Sequence, residues 1–167
     1  PNFRYEPSIK LEDLGVGYKQ NIQDKIDRFQ NQYIGYLPES YGDATAENLV
    51  GVNYYTGSAY SGVNNLARGK AQLKDSNDKF NDYVMGQMDQ TLSKMQIQPP
   101  EELRRGVGST KLKKALLHRK PGDVIYDHGY FSASAQEGTA KGFKEDPTAE
   151  ILFIVKNAQG YFVDAVS

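Results

Sequence analysis

The sequence predicts an α+β fold in one domain: helices in the first part, packed on a mixed or antiparallel two-sheet β core formed by the second. Three observations carry this. Ile22, Ile26, Phe29, Tyr33 and Leu37 recur at three- and four-residue steps, the period of one helix face. Phe80, Tyr83, Val84, Met88, Leu92 and Met95 repeat that pattern. The runs ILFIV, 151–155, and YFVDAV, 161–166, then flank the turn-rich KNAQG. Helical patterns followed by strand patterns mark an α+β chain. Residues 1–98 form its mainly helical part and 99–167 its β core.

The elements follow in order. Gly35 and Pro38 close the first helix. Ser76, Asn77 or Asp78 offers a cap for the later helix, which Pro99-Pro100 stops. The run ELRRGV, ending at Val107, reads as a strand. STKLKKALLHRK reads as a short helix closed by a turn at Pro121-Gly122. DVIYD, 123–127, and YFSAS, 130–134, read as further strands, and the last two runs as a hairpin. GKAQLKDSND, 69–78, and KEDPTAE, 144–150, read as exposed loops.

Composition narrows the function. A length of 167 residues suits one domain with a sizeable core. The net charge of -1 gives no electrostatic case for nucleic acid or an anionic membrane. No apolar run approaches the roughly 18 residues of a membrane span. Absence of cysteine excludes disulfides, thiolate metal sites and a cysteine nucleophile. With two histidines, a multi-histidine metal site is not expected.

Several residues carry chemistry. A strand alternates faces, so Arg104 and Arg105 point to opposite sides. An inward guanidinium is costly unless it meets a partner such as phosphate or carboxylate. Gly106 follows, and glycine lets a ligand approach the main chain. In YYTGSAYSGVNNL, Tyr60 and Asn64 are four apart and share a helical face. Tyr55 fits a TGS turn before that helix, with Ser58 as cap. Two phenols and an amide near a helix start suit a polar, phosphate-bearing ligand; tyrosines covering the core is the plainer alternative. Ser132 and Ser134 share one side of their strand, where a hydroxyl could orient a carboxylate or a ligand. No Ser-His-acid set makes either a nucleophile. Phe143 closes a polar loop and could stack on a planar ring or anchor the loop.

Taken together, these motifs resemble the mono-ADP-ribosyltransferases of the Arg-Ser-Glu class, which include clostridial binary toxins, insecticidal toxins and phage transferases. YTGSAYSGVN keeps the binary-toxin spacing of Tyr, four residues, Tyr, three residues, Asn. An Arg-Gly strand follows a helix and prolines. GYFSAS resembles the Gly-Phe-x-Ser-Thr-Ser strand, with Ala133 in place of threonine. Phe143 stands eleven residues after Ser132, in the position of the loop aromatic that stacks on nicotinamide. The resemblance covers roughly residues 46–167.

It implies NAD as substrate, no metal, and a target protein as acceptor, arginine being favoured. It implies that Ser132 orients a catalytic glutamate and that Arg105 holds the NAD phosphates. Arg104 is the alternative if the register follows Tyr-Arg-Arg. Gly106 would meet the nicotinamide amide, and Tyr55, Tyr60 and Asn64 the phosphate and ribose side, with Ser134 beside them. A toxin or phage effector of this class acts in the cytoplasm of a target or host cell. The class carries its Glu-x-Glu, or Gln-x-Glu, after the strand resembling YFVDAVS. Glu137, Glu145 and Glu150 do not occupy that place. The sequence therefore reads as cut short before the motif, with a sheet edge that a C-terminal segment or a second chain could fill. A catalytically inactive interaction or structural domain and an NAD glycohydrolase are the alternative functions.

Overall fold

The computed structural model describes residues 3–136 and 150–167. Its order is α1 (Val16–Gln32), α2 (Ala46–Tyr54), α3 (Tyr60–Ala67), α4 (Ser76–Lys94), β1 (Glu101–Gly108), α5 (Thr110–Leu116) and β2 (Glu150–Ala158). α1 to α4 precede the first strand, and the two strands pair antiparallel, so the fold class is α+β. The chain forms two compact units. One holds Pro1–Ile97 and Tyr161–Ser167, the other Gln98–Gly160.

In the helical unit, α1 buries Ile22 and Phe29 from the predicted stripe. The helix ends at Gln32, earlier than Gly35 and Pro38 suggest, and short 3-10 turns follow at Ile34–Tyr36 and Glu39–Tyr41. α4 buries Tyr83, Val84 and Met88 from its predicted stripe, and Met85 beside them. Its cap is Asp75, not Ser76, Asn77 or Asp78. Asp75 Oδ1 accepts the Asp78 N–H at 2.9 Å, and Asp78 Oδ2 accepts the Asp75 N–H at 3.3 Å. This reciprocal box satisfies two terminal donors and outcompetes the single caps offered by its neighbours.

α2 and α4 pack closely because glycine stands at their crossing. A Cβ at Gly51 would collide with Gln87 Cβ. A polar network crosses the same interface. Asn48 Nδ2 donates to Gln87 Oε1 at 2.8 Å, Lys94 Nζ donates to Asn48 Oδ1 at 2.8 Å, and Thr91 Oγ1 donates to the Asn48 carbonyl at 3.1 Å. These polar atoms are therefore paired where water is excluded.

The terminal run 161–166 forms no strand. Val166 is buried in the helical unit within a 3-10 turn, Asp164–Val166, and its carbonyl accepts the Asn53 Nδ2–H at 2.9 Å. The predicted hairpin is therefore absent. β2 instead runs through the expected turn to Ala158, which pairs with Glu101 across an irregularity in the ladder.

In the second unit, Leu103, Arg104, Arg105, Gly106 and Val107 face Val155, Ile154, Phe153, Leu152 and Ile151. Ser109 caps α5 by accepting the Leu112 N–H at 3.2 Å. The Pro121-Gly122 turn forms, with Gly122 at φ 94°, a conformation that favours glycine. Residues 123–127 form no strand, and Val124, Ile125 and Tyr126 are exposed. The run 130–134 joins the sheet through one antiparallel bridge, Ser134 to Arg104. Glu150 starts β2 rather than ending a loop.

Candidate functional site

The first group of site residues lies where α2 runs into α3. The chain does not turn at TGS. Tyr55–Ala59 stays helical with a wider, π-type winding, so Ser58 is not a cap. Thr56 adds to the local geometry, its hydroxyl donating to the Val52 carbonyl at 2.9 Å. Nine residues on an ideal α-helix are half a turn out of phase. The wider turn changes that phase, and Asn64 Nδ2 donates to the Tyr55 hydroxyl at 3.1 Å. Tyr55 and Asn64 are 3% and 5% exposed, whereas Tyr60 is 39% exposed. The structure thus joins Tyr55 with Asn64 within one continuous helical stretch, rather than across the TGS turn expected from the sequence. It leaves Tyr60 at the surface of the same stretch. Such π segments recur at functional sites.

The second group lies on β1 and the run beside it. Arg104 and Ser134 exchange main-chain hydrogen bonds at 2.8 Å each. The Arg104 side chain pairs with Glu102, two residues back on the same strand face, at 2.7 Å. Arg105 points to the other face. Its Nη1 donates to the Ser132 carbonyl at 3.2 Å, and its guanidinium carbon lies 4.6 Å from the centre of the Phe131 ring. Phe131 in turn meets Phe153 edge-on, with centroids 6.0 Å apart. Phe153 is also the cross-strand neighbour of Arg105. The guanidinium is therefore oriented by a ring face and by the Ser132 and Tyr130 carbonyls. Gly106, next in the strand, is buried.

Ser132 is exposed and Ser134 half-buried. Ser134 Oγ accepts the Gln136 N–H at 3.0 Å, closing a short turn after the bridge. Phe143 lies outside the described residues. The sequence reading did not single out Phe131, which orients Arg105, or Glu102, which engages Arg104. Strand alternation was the available signal: it places Glu102 with Arg104, and Phe131 immediately before the serine pair.

Among the described residues, no group of three or more histidine, aspartate or glutamate side chains could hold a metal ion. No helix there is long and apolar enough to cross a membrane. Neither a curated protein nor a solved structure matches the chain. The family model for the ADP-ribosyltransferase exoenzyme matches residues 18–167.

Proposed function

The chain belongs to the ADP-ribosyltransferase exoenzyme family, and we propose that it serves transfer of ADP-ribose from NAD to a protein side chain, arginine foremost, with release of nicotinamide. Enzymes of this family take NAD as their substrate, and a toxin transferase modifies a protein. The observation that carries the reading for this chain is the setting of Arg105. A guanidinium held by Phe131 and the Ser132 carbonyl, beside buried Gly106, suits the diphosphate of a dinucleotide.

In this reading Arg105 clamps the phosphates, while Arg104, paired with Glu102 on the other strand face, holds the register through its main-chain bonds to Ser134. Gly106 offers its main chain to the nicotinamide amide. Ser132 orients the carboxylate that stabilises an oxocarbenium-like ribose, with Ser134 fixing the register of its strand. Tyr60 contacts the ligand from an exposed position, while Tyr55 and Asn64 support each other on the phosphate and ribose side. Phe143 stacks on nicotinamide. Binding energy from the phosphates then assists the bond that breaks at the ribose. No residue of this sequence is assigned the carboxylate's role, so the primary test reads binding.

Calorimetric titration with NAD checks the reading. Saturable binding that is lost in Arg105→Ala is expected. An absence of binding in the folded chain would move the function to a non-catalytic interaction domain. Labelled NAD with a cell lysate then separates transfer from hydrolysis: label on a discrete protein means transfer, and free ADP-ribose alone means a glycohydrolase.

A further inference from the structure

Two of the cations of α1, Lys25 and Arg28, lie one turn apart and so on neighbouring positions of one face. Lys25 Nζ donates to Asn53 Oδ1 at 2.8 Å and sits 4.1 Å from the centre of the Tyr54 ring. Both partners are neutral. Asn53 is fixed in this orientation, because its amide nitrogen donates to the Val166 carbonyl at 2.9 Å. Tyr54 is held edge-on to Phe80, which stacks on Tyr18, each pair with centroids 5.0 Å apart. The wall beside the cations is therefore built from residues already held by others.

Among the described residues, neither Lys25 nor Arg28 takes part in an ion pair such as Arg4–Asp89 or Arg104–Glu102. Asp24 and Asp27, the acidic residues of α1, each accept one hydrogen bond from the Gln20 and Gln23 side chains, at 2.8 and 3.0 Å. Burial, then the like charge of Arg28, holds the Lys25 ammonium below its usual range. Arg28 also pulls against the rise that burial gives the Tyr54 phenol. A partly desolvated cation beside another cation is costly unless an anion supplies the missing charge. Lys25 keeps two ammonium hydrogens beyond the one given to Asn53, and the Arg28 guanidinium offers a planar fork. Two such donor sets side by side match the several acceptor oxygens of a phosphoryl group.

We propose that Lys25 and Arg28 form a phosphoryl-binding site on the α1 face beside Asn53 and Tyr54. The site stands on the helical unit alone, independent of the transferase reading and of Arg105.

Thermal unfolding with inorganic pyrophosphate, against sodium chloride at equal ionic strength, tests it. The wild-type midpoint should rise with pyrophosphate as a saturating function of concentration. Lys25→Met keeps the aliphatic stem and should abolish the rise, and Arg28→Gln, at an exposed position, should at least halve it. Because Arg105 itself suits a diphosphate, both variants are read in an Arg105→Ala background, where the rise should persist. ADP in place of pyrophosphate identifies the source: a larger rise means a nucleotide-borne phosphate, an equal or smaller one a free phosphate. No rise over chloride would overturn the proposal. So would an equal rise with and without Lys25→Met and Arg28→Gln in that background, or a rise that Arg105→Ala removes. Should Lys25→Met fail to fold, Arg28→Gln decides by the same criterion.

Discussion

The main chains of Arg104 and Ser134 exchange two hydrogen bonds, each 2.8 Å long. This pair sets the register of the serine run against the arginine strand without using either side chain. It leaves Arg105, one residue on, to donate to the Ser132 carbonyl from the other face at 3.2 Å. Substitutions that keep the main chain should therefore act differently from those that do not.

Ser134→Pro removes one donor of the pair, whereas Ser134→Ala keeps both main-chain bonds. Hydrogen exchange at the Arg104 amide should quicken in the proline variant and stay near wild type in the alanine variant. Equal protection in all three would show that the bridge does not hold the run in place.

Arg105→Ala should weaken NAD binding by about tenfold to a hundredfold, since hydrogen bonds to charged groups contribute about 1.5–3 kcal/mol. Arg105→Lys should recover little of it, because the ammonium lacks the planar fork and the stacking face. Full recovery by lysine would mean that charge alone, rather than the orientation set by Phe131, matters.

Tyr55→Phe removes an acceptor that the buried Asn64 amide meets at 3.1 Å. A loss of about 1–3 kcal/mol in stability is expected from urea unfolding. Tyr60→Phe, at a 39% exposed side chain, should stay within about 0.5 kcal/mol and show its effect on ligand affinity instead. A reversal of the two would exchange their roles.

Gly51→Ala should cost about 1–3 kcal/mol, because the new methyl group meets Gln87 Cβ and pushes α2 from α4. The Asn48–Gln87 hydrogen bond at 2.8 Å spans that contact and would lengthen with it. A midpoint unchanged in urea would show that the helices separate freely.

Alkaline stability follows the tyrosines. The Tyr5 phenol is pushed up to about 12 by burial first, then by the hydrogen bond and charge of Asp82. Its folded pKa exceeds the unfolded value of 10.0, so the neutral phenol is favoured by folding. That stabilisation is fully present below pH 10.0 and is lost as pH rises towards about 12. Tyr83 is raised as well, by burial and by Glu47, whose Oε1 accepts its hydroxyl at 3.0 Å. Melting temperatures across this window should therefore fall less steeply in Tyr5→Phe than in wild type. Parallel curves would remove Tyr5 from the alkaline transition.

What the sequence determined by itself was local or periodic. The stripes through Ile22–Phe29 and Tyr83–Met88 are helical because apolar residues at that spacing bury together. β1 and β2 carry the apolar alternation and runs that pair, and Gly122 supplies a turn that needs no partner elsewhere. The ordered motifs around Tyr55, Arg105 and Ser132 were also legible, since residue type and spacing are written in the chain. Other features depended on tertiary structure. Residues 161–166 exchanged a hairpin for the carbonyl contact of Val166 with Asn53. The widened turn at Tyr55–Ala59 brought Tyr55 to Asn64 against the phase of an ideal helix. In each, two local conformations were comparable in energy, and a buried contact or a hydrogen bond shielded from water chose between them.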